Sequence, residues 1–264
     1  MNTVLVTGAC INTGVAIVEK FAREGYNVVF TGRSIEKVKA AEDGYRKKFP
    51  NVEILGYAID SLLDERTVDE ESVKRMFSSL DEKGIFIETL VLNAADQGLD
   101  QKIFENPLTD LMKVINTNVV WNFCLCEHAA ARMKTRGGGN IVFINSNTAY
   151  RAIPDRVAYV ASKGGQLGLM RALALDLGKY NIRVNAVLPG MIKTDRWEKN
   201  PEFYASVPSR FTPIGDVAVG ADVADAVYYF AAYARNTTGA ELVVDGGNTI
   251  QLYPIIPNEQ GAYK

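Results

Sequence analysis

The sequence contains few of the residues on which several kinds of function depend. Among 264 residues there are one histidine and three cysteines. A single histidine argues against histidine-rich zinc sites, so no metal site is expected. Three cysteines do not make an even disulfide framework, and reduced thiols favour a cytoplasmic protein.

The one histidine, His128, would have to serve any Ser-His-Asp nucleophilic triad. No G-x-S-x-G segment accompanies it. It lies in the helical stretch "CLCEHAAARM", which favours a surface or interface position.

Charge and hydropathy exclude further classes. The net charge is −2, which argues against a general nucleic-acid-binding surface. No apolar run has membrane length, and no charged-then-apolar leader begins the chain. We therefore expect no nucleic-acid partner and no membrane association.

Apolar, strand-like runs alternate with helical patterns along the chain. The runs are 3–7, 27–31, 52–59, 88–93, 140–145, 182–188 and 241–245. Helical patterns follow at about 13–24, 34–48, 69–83, 109–135, 156–179 and 220–234. Continuous apolar strands indicate burial on both faces. The pattern predicts one Rossmann-like domain over 1–264, a doubly wound parallel sheet of seven strands with helices on both faces.

Two segments do not fit the strand–helix alternation. The acidic segment 60–72 is interpreted as a solvated loop and a helix start. Segment 194–216 follows the sixth strand and contains no strand pattern. Loops beyond the carboxyl ends of strands border the ligand crevice of such sheets, so 194–216 is a candidate substrate lid.

The first strand leads into the glycine-containing stretch "VLVTGACINTG", residues 4–14. Gly8 and Gly14 could form a phosphate-binding turn at a helix N-terminus. Asn12 stands between them, and asparagine tolerates a left-handed backbone better than other non-glycine residues. Taken alone, the stretch fits an ordinary strand–helix turn equally well.

The stretch "YVASK" places Tyr159 and Lys163 four residues apart, on one face of a predicted helix. An ammonium beside a phenol favours the phenolate and lowers its pKa, which would make the tyrosine a usable acid/base. The Y-x-x-x-K pattern alone occurs often by chance. Here, however, Ser146 lies thirteen residues upstream, just after a predicted strand.

The ordered set of motifs resembles the short-chain dehydrogenase/reductase family over essentially the whole length. The matching pieces are "TGACINTG" (7–14), "LNAA" (92–95), "INTN" (115–118), "INS" (144–146), "YVASK" (159–163), "LPGMIKT" (188–194) and "VVDGG" (243–247). The resemblance implies an NAD(P)-dependent oxidoreductase that interconverts a secondary alcohol and a ketone. The cofactor carries the hydride, and the protein positions it against the carbonyl carbon.

By the same resemblance, four residues are implied in catalysis. Tyr159 is the proton donor in reduction and the acceptor in oxidation. Lys163 lowers the pKa of Tyr159 and hydrogen-bonds the nicotinamide ribose. Ser146 hydrogen-bonds the substrate oxygen, and Asn118 holds a water that links Lys163 to solvent.

Cofactor contacts are implied along the carboxyl ends of the strands. They are Gly8, Asn12, Thr13, Gly14, Arg33, Ser34, Asp60, Asn93, Ala94, Tyr159, Lys163, Pro189, Gly190, Ile192 and Thr194. The less favoured alternative for Asp60 is a solvated loop carboxylate. Asn12, Leu92 and Ala95 depart from the family pattern, which leaves the pyrophosphate and adenosine contacts open.

The end of the second strand, "VVFTGRS", bears on the choice of nicotinamide. Gly32 stands where NAD-preferring members usually place a carboxylate for the ribose hydroxyls. Arg33 could bind a 2′-phosphate through charge-assisted hydrogen bonds. NADP(H) is therefore favoured over NAD(H), although Arg33 could instead cover the adenine, and Ile11 replaces the basic residue often found in the loop of NADP enzymes.

Substrate contacts are expected from the segments around the serine and from the lid. The candidates are Ser146, Tyr150, Ile153, Tyr159 and Trp197, although ordinary packing explains any one of the apolar ones equally well. The tail "DGGNTIQLYP" resembles polyol and glucose-type dehydrogenases, which favours a small polar substrate. A 3-oxoacyl carrier-protein reductase shares the same core.

Other classes remain open. A protein that senses NAD(P) without turnover would usually lack the Tyr–Lys pair, and an enoyl reductase would need a wider Tyr–Lys spacing. A dehalogenase-like variant would lack a working nucleotide loop. In the family, the helices matching 109–135 and 156–179 pair across subunits, so a homotetramer is expected, with a dimer as second choice.

Overall fold

The computed structural model describes residues 2–194, 197, 201–202 and 211–252. Its strands are β1 (Thr3–Val6), β2 (Asn27–Gly32), β3 (Ile54–Ala58), β4 (Leu62–Asp64), β5 (Thr67–Val68), β6 (Thr89–Leu92), β7 (Gly139–Ile144), β8 (Ile182–Pro189) and β9 (Glu241–Val244). Its helices include α1 (Asn12–Arg23), α2 (Ile35–Lys48), α3 (Glu70–Glu82), α4 (Leu108–Ile115), α5 (Trp121–Thr135), α6 (Val157–Gly178) and α7 (Gly220–Tyr228).

Seven strands form one sheet in the order β3-β2-β1-β6-β7-β8-β9, and every neighbouring pair is parallel. The predicted α/β fold with a seven-stranded parallel sheet is confirmed. The strand order reverses between β1 and β6, because β1 pairs with β2 on one side and with β6 on the other. In sheets of this kind, a ligand crevice opens at the carboxyl ends of the strands next to this reversal.

Helices cover both faces of the sheet, as predicted. On one face, α3, α5 and α6 contribute buried side chains such as Phe77, Leu125 and Met170. On the other face, α1, α2 and α7 contribute side chains such as Phe21 and Val227. Because helices bury both faces of the sheet, the strand residues are apolar on both sides. This explains the continuous hydrophobic runs of the sequence.

The segment predicted as a loop, 60–72, contains a short antiparallel hairpin of β4 and β5. The Asp64 carboxylate closes its turn by accepting hydrogen bonds from the Arg66 amide at 2.7 Å and the Thr67 hydroxyl at 3.0 Å. Strands of three and two residues are too short to show an alternating pattern, so they could not be predicted from the sequence.

The helix predicted over 109–135 is interrupted by a π turn at Asn116–Val120, between α4 and α5. A second π turn, Tyr229–Tyr233, follows α7 within the helix predicted over 220–234. π turns are frequent at functional sites. The first of them contains Asn118, one of the four residues implied in catalysis.

Within the described part of the chain, no helix is both long and apolar enough to span a bilayer.

Candidate active site

The structure brings Ser146, Tyr159 and Lys163 together. Ser146 follows β7, and the other two residues lie one turn apart on α6. The Ser146 hydroxyl lies close enough to the Tyr159 hydroxyl to act on its pKa. The Lys163 ammonium nitrogen lies 5.5 Å from the centre of the Tyr159 ring. A hydroxyl, a phenol and an amine therefore converge beyond the carboxyl end of the sheet.

The electrostatics of Tyr159 differ from the sequence expectation. Burial raises the pKa of Tyr159 above its ordinary value, while the Ser146 hydroxyl and the charge of Arg156 act in the opposite direction. Lys163 is not among the groups that lower this pKa, because it is itself desolvated and its ammonium donates to other acceptors. The expected lowering of the Tyr159 pKa by Lys163 therefore stays a prediction.

Lys163 is 1% exposed, and this burial lowers its pKa to about 7. Its ammonium donates to the Ile144 carbonyl at 2.9 Å and to the Gln166 side-chain oxygen at 3.0 Å. An ammonium has three N–H groups, so two are used by these acceptors and one remains for a bound ligand.

Asn118 lies behind the lysine and is fully buried. Its side chain accepts from the Asp96 amide at 2.8 Å and donates to the Asp96 carbonyl at 2.8 Å and to the Ser162 hydroxyl at 2.9 Å. Its main-chain carbonyl accepts two side-chain amides, from Asn122 at 2.8 Å and from Gln166 at 2.6 Å. The π turn thus joins the β6–α4 connection to α6.

Two residues of this network were missed from the sequence. Gln166 lies three positions after Lys163, on the same face of α6, and Asn145 ends the apolar run "NIVFIN". The Asn145 side chain donates to the Lys163 carbonyl at 3.0 Å and accepts from the Ser146 amide at 2.7 Å. Each of the two is a polar residue at a position where the pattern predicts an apolar, core-facing one. That mismatch could have identified both residues from the sequence.

The glycine loop after β1 has the backbone that a phosphate site needs. Gly8 has φ 65° and Asn12 has φ 50°, so Asn12 adopts the left-handed conformation considered from its residue type. A Cβ at Gly14 would lie 2.5 Å from the Gly8 carbonyl oxygen, so only glycine fits there. Among the described residues, no side chain caps the N-terminus of α1. These features fit a pyrophosphate at this turn.

Asn93 and Thr7 hold this loop against β6. The Asn93 side chain donates to the Thr7 carbonyl at 2.9 Å and to the Gly8 carbonyl at 3.1 Å. The buried Thr7 hydroxyl accepts from the Asn93 and Ala94 amides at 2.9 and 3.0 Å. Asn93 therefore stabilises the glycine loop through hydrogen bonds to its main chain. Thr7 also stabilises the loop, and this role was not predicted from the sequence.

The ends of β2 and β3 carry the residues expected near the adenosine. Arg33 and Asp60 are exposed, and Ser34 caps α2 by accepting from the Lys37 amide at 3.3 Å. Ser34 also donates to the Glu36 carboxylate at 2.6 Å. Lys37 is a second exposed cation next to Arg33 that the sequence reading missed.

Other expected residues lie on the β8 side of the sheet. Pro189 ends β8, the Gly190 amide donates to the Val244 carbonyl at 3.0 Å, and Ile192 forms an isolated bridge with Ala218. The Thr194 carbonyl accepts from the Trp197 amide at 2.9 Å. Much of the expected lid, 195–196, 198–200 and 203–210, lies outside the described residues.

The expected substrate residues differ in their exposure and in their contacts. The Tyr150 hydroxyl donates to the Glu241 carboxylate, which also accepts from Arg171. Ile153 is 46% exposed, and Trp197 is partly buried. His128 stacks on Phe77 with ring centres 5.6 Å apart, in a contact separate from the Ser146–Tyr159 pair.

The chain matches known proteins over nearly its whole length. A family model described as enoyl-(acyl carrier protein) reductase matches residues 8–249. An uncharacterized oxidoreductase of Thermotoga maritima is 32% identical, with 94% of this chain and 96% of that protein covered. The 3-oxoacyl-[acyl-carrier-protein] reductase MabA of Mycobacterium bovis is 31% identical, with 93% and 92% covered.

Solved structures of similar proteins include complexes with NADP(H) and a complex with NAD⁺. ElxO with NADP bound has a TM-score of 0.85 at 29% identity, with 95% of this chain and 99% of that chain covered. L-Sorbose reductase from Gluconobacter frateurii, complexed with NADPH and L-sorbose, has a TM-score of 0.85 at 26% identity, with 95% and 97% covered. NAD⁺-bound xylitol dehydrogenase has a TM-score of 0.80 at 29% identity, with 93% and 98% covered.

Proposed function

The chain belongs to the short-chain dehydrogenase/reductase family of oxidoreductases, and on that premise we propose that it interconverts a secondary alcohol and a ketone with NAD(P). The observation that carries this proposal is the convergence of the Ser146 and Tyr159 hydroxyls with the buried Lys163 amine. A protein that only senses the cofactor has no need of this arrangement.

The side chains of the protein carry out the proton transfer of the proposed reaction. When bound, the nicotinamide supplies or accepts the hydride. The Ser146 hydroxyl orients the substrate oxygen beside Tyr159. The Tyr159 hydroxyl donates its proton to that oxygen in reduction and takes it back in oxidation. The Lys163 ammonium stabilises the tyrosinate left after donation.

The raised pKa of Tyr159 suits the reductive role at neutral pH. Burial keeps the hydroxyl protonated in the cofactor-free chain, so the proton is available to be donated. Oxidation needs the tyrosinate and is expected to rise with pH. The Lys163 amine, with a pKa of about 7, is then the group whose charge limits the alkaline side.

The residues present fit the cofactor. Gly8, Gly14 and the uncapped start of α1 would hold the pyrophosphate, and Lys163 has an N–H left for the ribose. Arg33 and Lys37 supply two exposed cations at the end of β2, which favours NADP(H) over NAD(H). Asp60, Asn93 and Ala94 lie along the same crevice.

A small polar ketone or polyol is the substrate class that we propose. The similar proteins L-sorbose reductase and xylitol dehydrogenase support this choice. A 3-oxoacyl carrier-protein reductase is the second candidate, supported by the likeness to MabA. The matched family description names enoyl reduction, but the four-residue Tyr159–Lys163 spacing favours carbonyl chemistry.

We also propose that residues 1–264 form one domain and that 194–216 covers the substrate. This proposal is supported by the chain order, since the segment follows the carboxyl end of β8 and precedes α7.

The test is turnover by the purified protein, with NADH and NADPH in parallel for the carbonyl compounds and with NAD⁺ and NADP⁺ in parallel for the alcohols. The panel contains sugar ketones, polyols and an acetoacetyl thioester. Reduction of a polar ketone supports the proposal, and preference for the thioester supports the second candidate. Tight cofactor binding without turnover on any compound would indicate a sensing protein instead.

A further inference from the structure

A glutamine side chain fills the space between Lys163 and Asn118. Gln166 is fully buried, as is Asn118, and Lys163 is 1% exposed. The Gln166 side-chain nitrogen donates to the Asn118 carbonyl at 2.6 Å. Its side-chain oxygen accepts from the Lys163 ammonium at 3.0 Å and from the Asn145 amide at 3.2 Å.

The chemistry of these neighbours fixes which way the amide faces. A lysine ammonium can only donate, and a main-chain carbonyl can only accept. The amide oxygen must therefore face Lys163, and the amide nitrogen must face Asn118. A reversed amide would set two acceptors against each other on one side and two donors on the other.

The Asn118 carbonyl has no free lone pair for a water. A carbonyl oxygen accepts two hydrogen bonds, and here both come from side-chain amides, Asn122 at 2.8 Å and Gln166 at 2.6 Å. A water that linked Asn118 to Lys163 would therefore find no free lone pair on this carbonyl.

We propose that Gln166 is a positioning residue whose amide replaces that water and holds the Lys163 ammonium beside Tyr159. This inference rests on the proposed function only for its catalytic consequence. An amide nitrogen does not hand on a proton as water does, so the route from Lys163 through Asn118 to solvent is closed. Proton exchange with solvent then runs through the Tyr159 hydroxyl on the substrate side.

Few ionisable groups surround this lysine. Tyr159 faces it from α6, and Arg156 lies one turn before that tyrosine. From β7, the Ile144 carbonyl accepts from it. On the π-turn side, Asn118 separates it from the Asp96–Lys113 ion pair. The Gln166 oxygen is thus its side-chain acceptor among the described residues, and changing that oxygen changes how the charge is held.

The first test measures the titration of Lys163 by NMR in the cofactor-free protein, with ¹³C-labelled lysine and Lys163→Met to assign the resonance. Gln166→Leu removes the acceptor, so the resonance should titrate at lower pH than in the parent. Gln166→Glu supplies a carboxylate, so it should titrate at higher pH. Asp176→Asn, at an exposed position on the same helix, should leave it unchanged.

The second test measures turnover. Gln166→Leu should lower kcat by about ten-fold or more, while KM for the ketone changes far less. Asp176→Asn should keep the parent value within about two-fold. If Gln166→Leu does not fold, Gln166→Met fills a similar volume without an amide and replaces it.

Opposite shifts of the Lys163 titration in the two Gln166 variants support the proposal. Unchanged titration, shifts in one direction only, or equal effects of Gln166→Leu and Asp176→Asn would overturn it. A parent without turnover would refute the proposed function, but the titration would still decide the role of Gln166, because it needs neither cofactor nor substrate.

Discussion

At the scale of single residues, Lys163 is a charge placed where water does not reach. Burial lowers its pKa to about 7, whereas an unfolded chain has a lysine pKa of about 10.4. Below pH 7 both states bind the proton, and the folded state bears the full cost of burying it. As pH rises from the folded-state pKa of Lys163 toward the unfolded-state pKa, this lysine stays protonated only in the unfolded chain. The folded state therefore becomes relatively more stable.

Replacing this lysine should therefore change how stability depends on pH. Lys163→Met should be more stable than the parent at pH 7 and below, and the difference in Tm should shrink as pH rises toward 10. Thermal unfolding of both proteins across this range measures it. The matched control is Lys39→Met, an exposed lysine, whose difference should not vary with pH. A constant difference for Lys163→Met would contradict the assignment.

Arg33 tests the choice of cofactor. It is exposed at the end of β2, with Lys37 nearby on α2. If a 2′-phosphate is bound there, Arg33→Ala should weaken NADPH binding by roughly 1.5–3 kcal/mol, the range for a hydrogen bond to a charged group. NADH binding should change far less. Isothermal titration of both cofactors measures this, with Lys47→Ala, at the far end of α2, as control.

Equal weakening of NADH binding and NADPH binding by Arg33→Ala would show that Arg33 covers the adenine instead.

Gly32→Asp is not a suitable variant for testing the opposite change, a shift of preference toward NADH. A Cβ at Gly32 would lie 2.5 Å from the Cys10 sulfur and 2.9 Å from a Val38 methyl carbon, so the substitution would disturb the glycine loop itself.

At the scale of elements, the turn between β1 and α1 depends on Asn12. Its φ of 50° lies in the left-handed region, which asparagine and glycine tolerate better than other residues. Asn12→Ala should lower the free energy of unfolding by about 1 kcal/mol, and Asn12→Gly should change it by much less.

Denaturant unfolding of both variants measures this difference. The control is Asn51→Ala, at an exposed turn whose φ is not positive. An Asn12→Ala protein as stable as the Asn12→Gly protein would mean that the turn does not need a left-handed residue.

The elements also show what the sequence could and could not predict. Long apolar runs predicted the seven strands, because burial on both faces leaves a strong signal. The residue order around Ser146, Tyr159 and Lys163 predicted where the site would form. The π turn at Asn116–Val120 was not predicted, because a change in the hydrogen-bond ladder leaves the helical hydrophobic pattern intact. The Gln166 bridge depends on tertiary contacts with Asn118 that the sequence does not display.

At the scale of the whole molecule, the helices next to the site expose large apolar side chains. Leu108 is 70% exposed on α4, Phe123 is 46% exposed on α5 and Leu175 is 84% exposed on α6. Such residues are frequent where protein surfaces associate. Because the matching helices pair across subunits in this family, we expect a homotetramer, with a dimer as second choice.

Light scattering at micromolar concentration should give the mass of four chains. Phe123→Glu together with Leu175→Glu should reduce this mass, since the paired helices would then bury charges. Leu63→Glu, at a 69% exposed leucine on β4, is the control and should leave the mass unchanged. A monomeric parent would contradict the expectation.

The central claim is that the Tyr159 hydroxyl transfers the proton during carbonyl reduction. The most direct measurement compares reduction of one ketone by the parent and by Tyr159→Phe, with cofactor binding measured in both. Phenylalanine keeps the ring and removes the hydroxyl. Turnover should fall by at least ~100-fold, as is typical of losing a general acid, while the Kd for the cofactor stays nearly the same. A Tyr159→Phe protein that reduces the ketone at a rate near that of the parent would contradict the account.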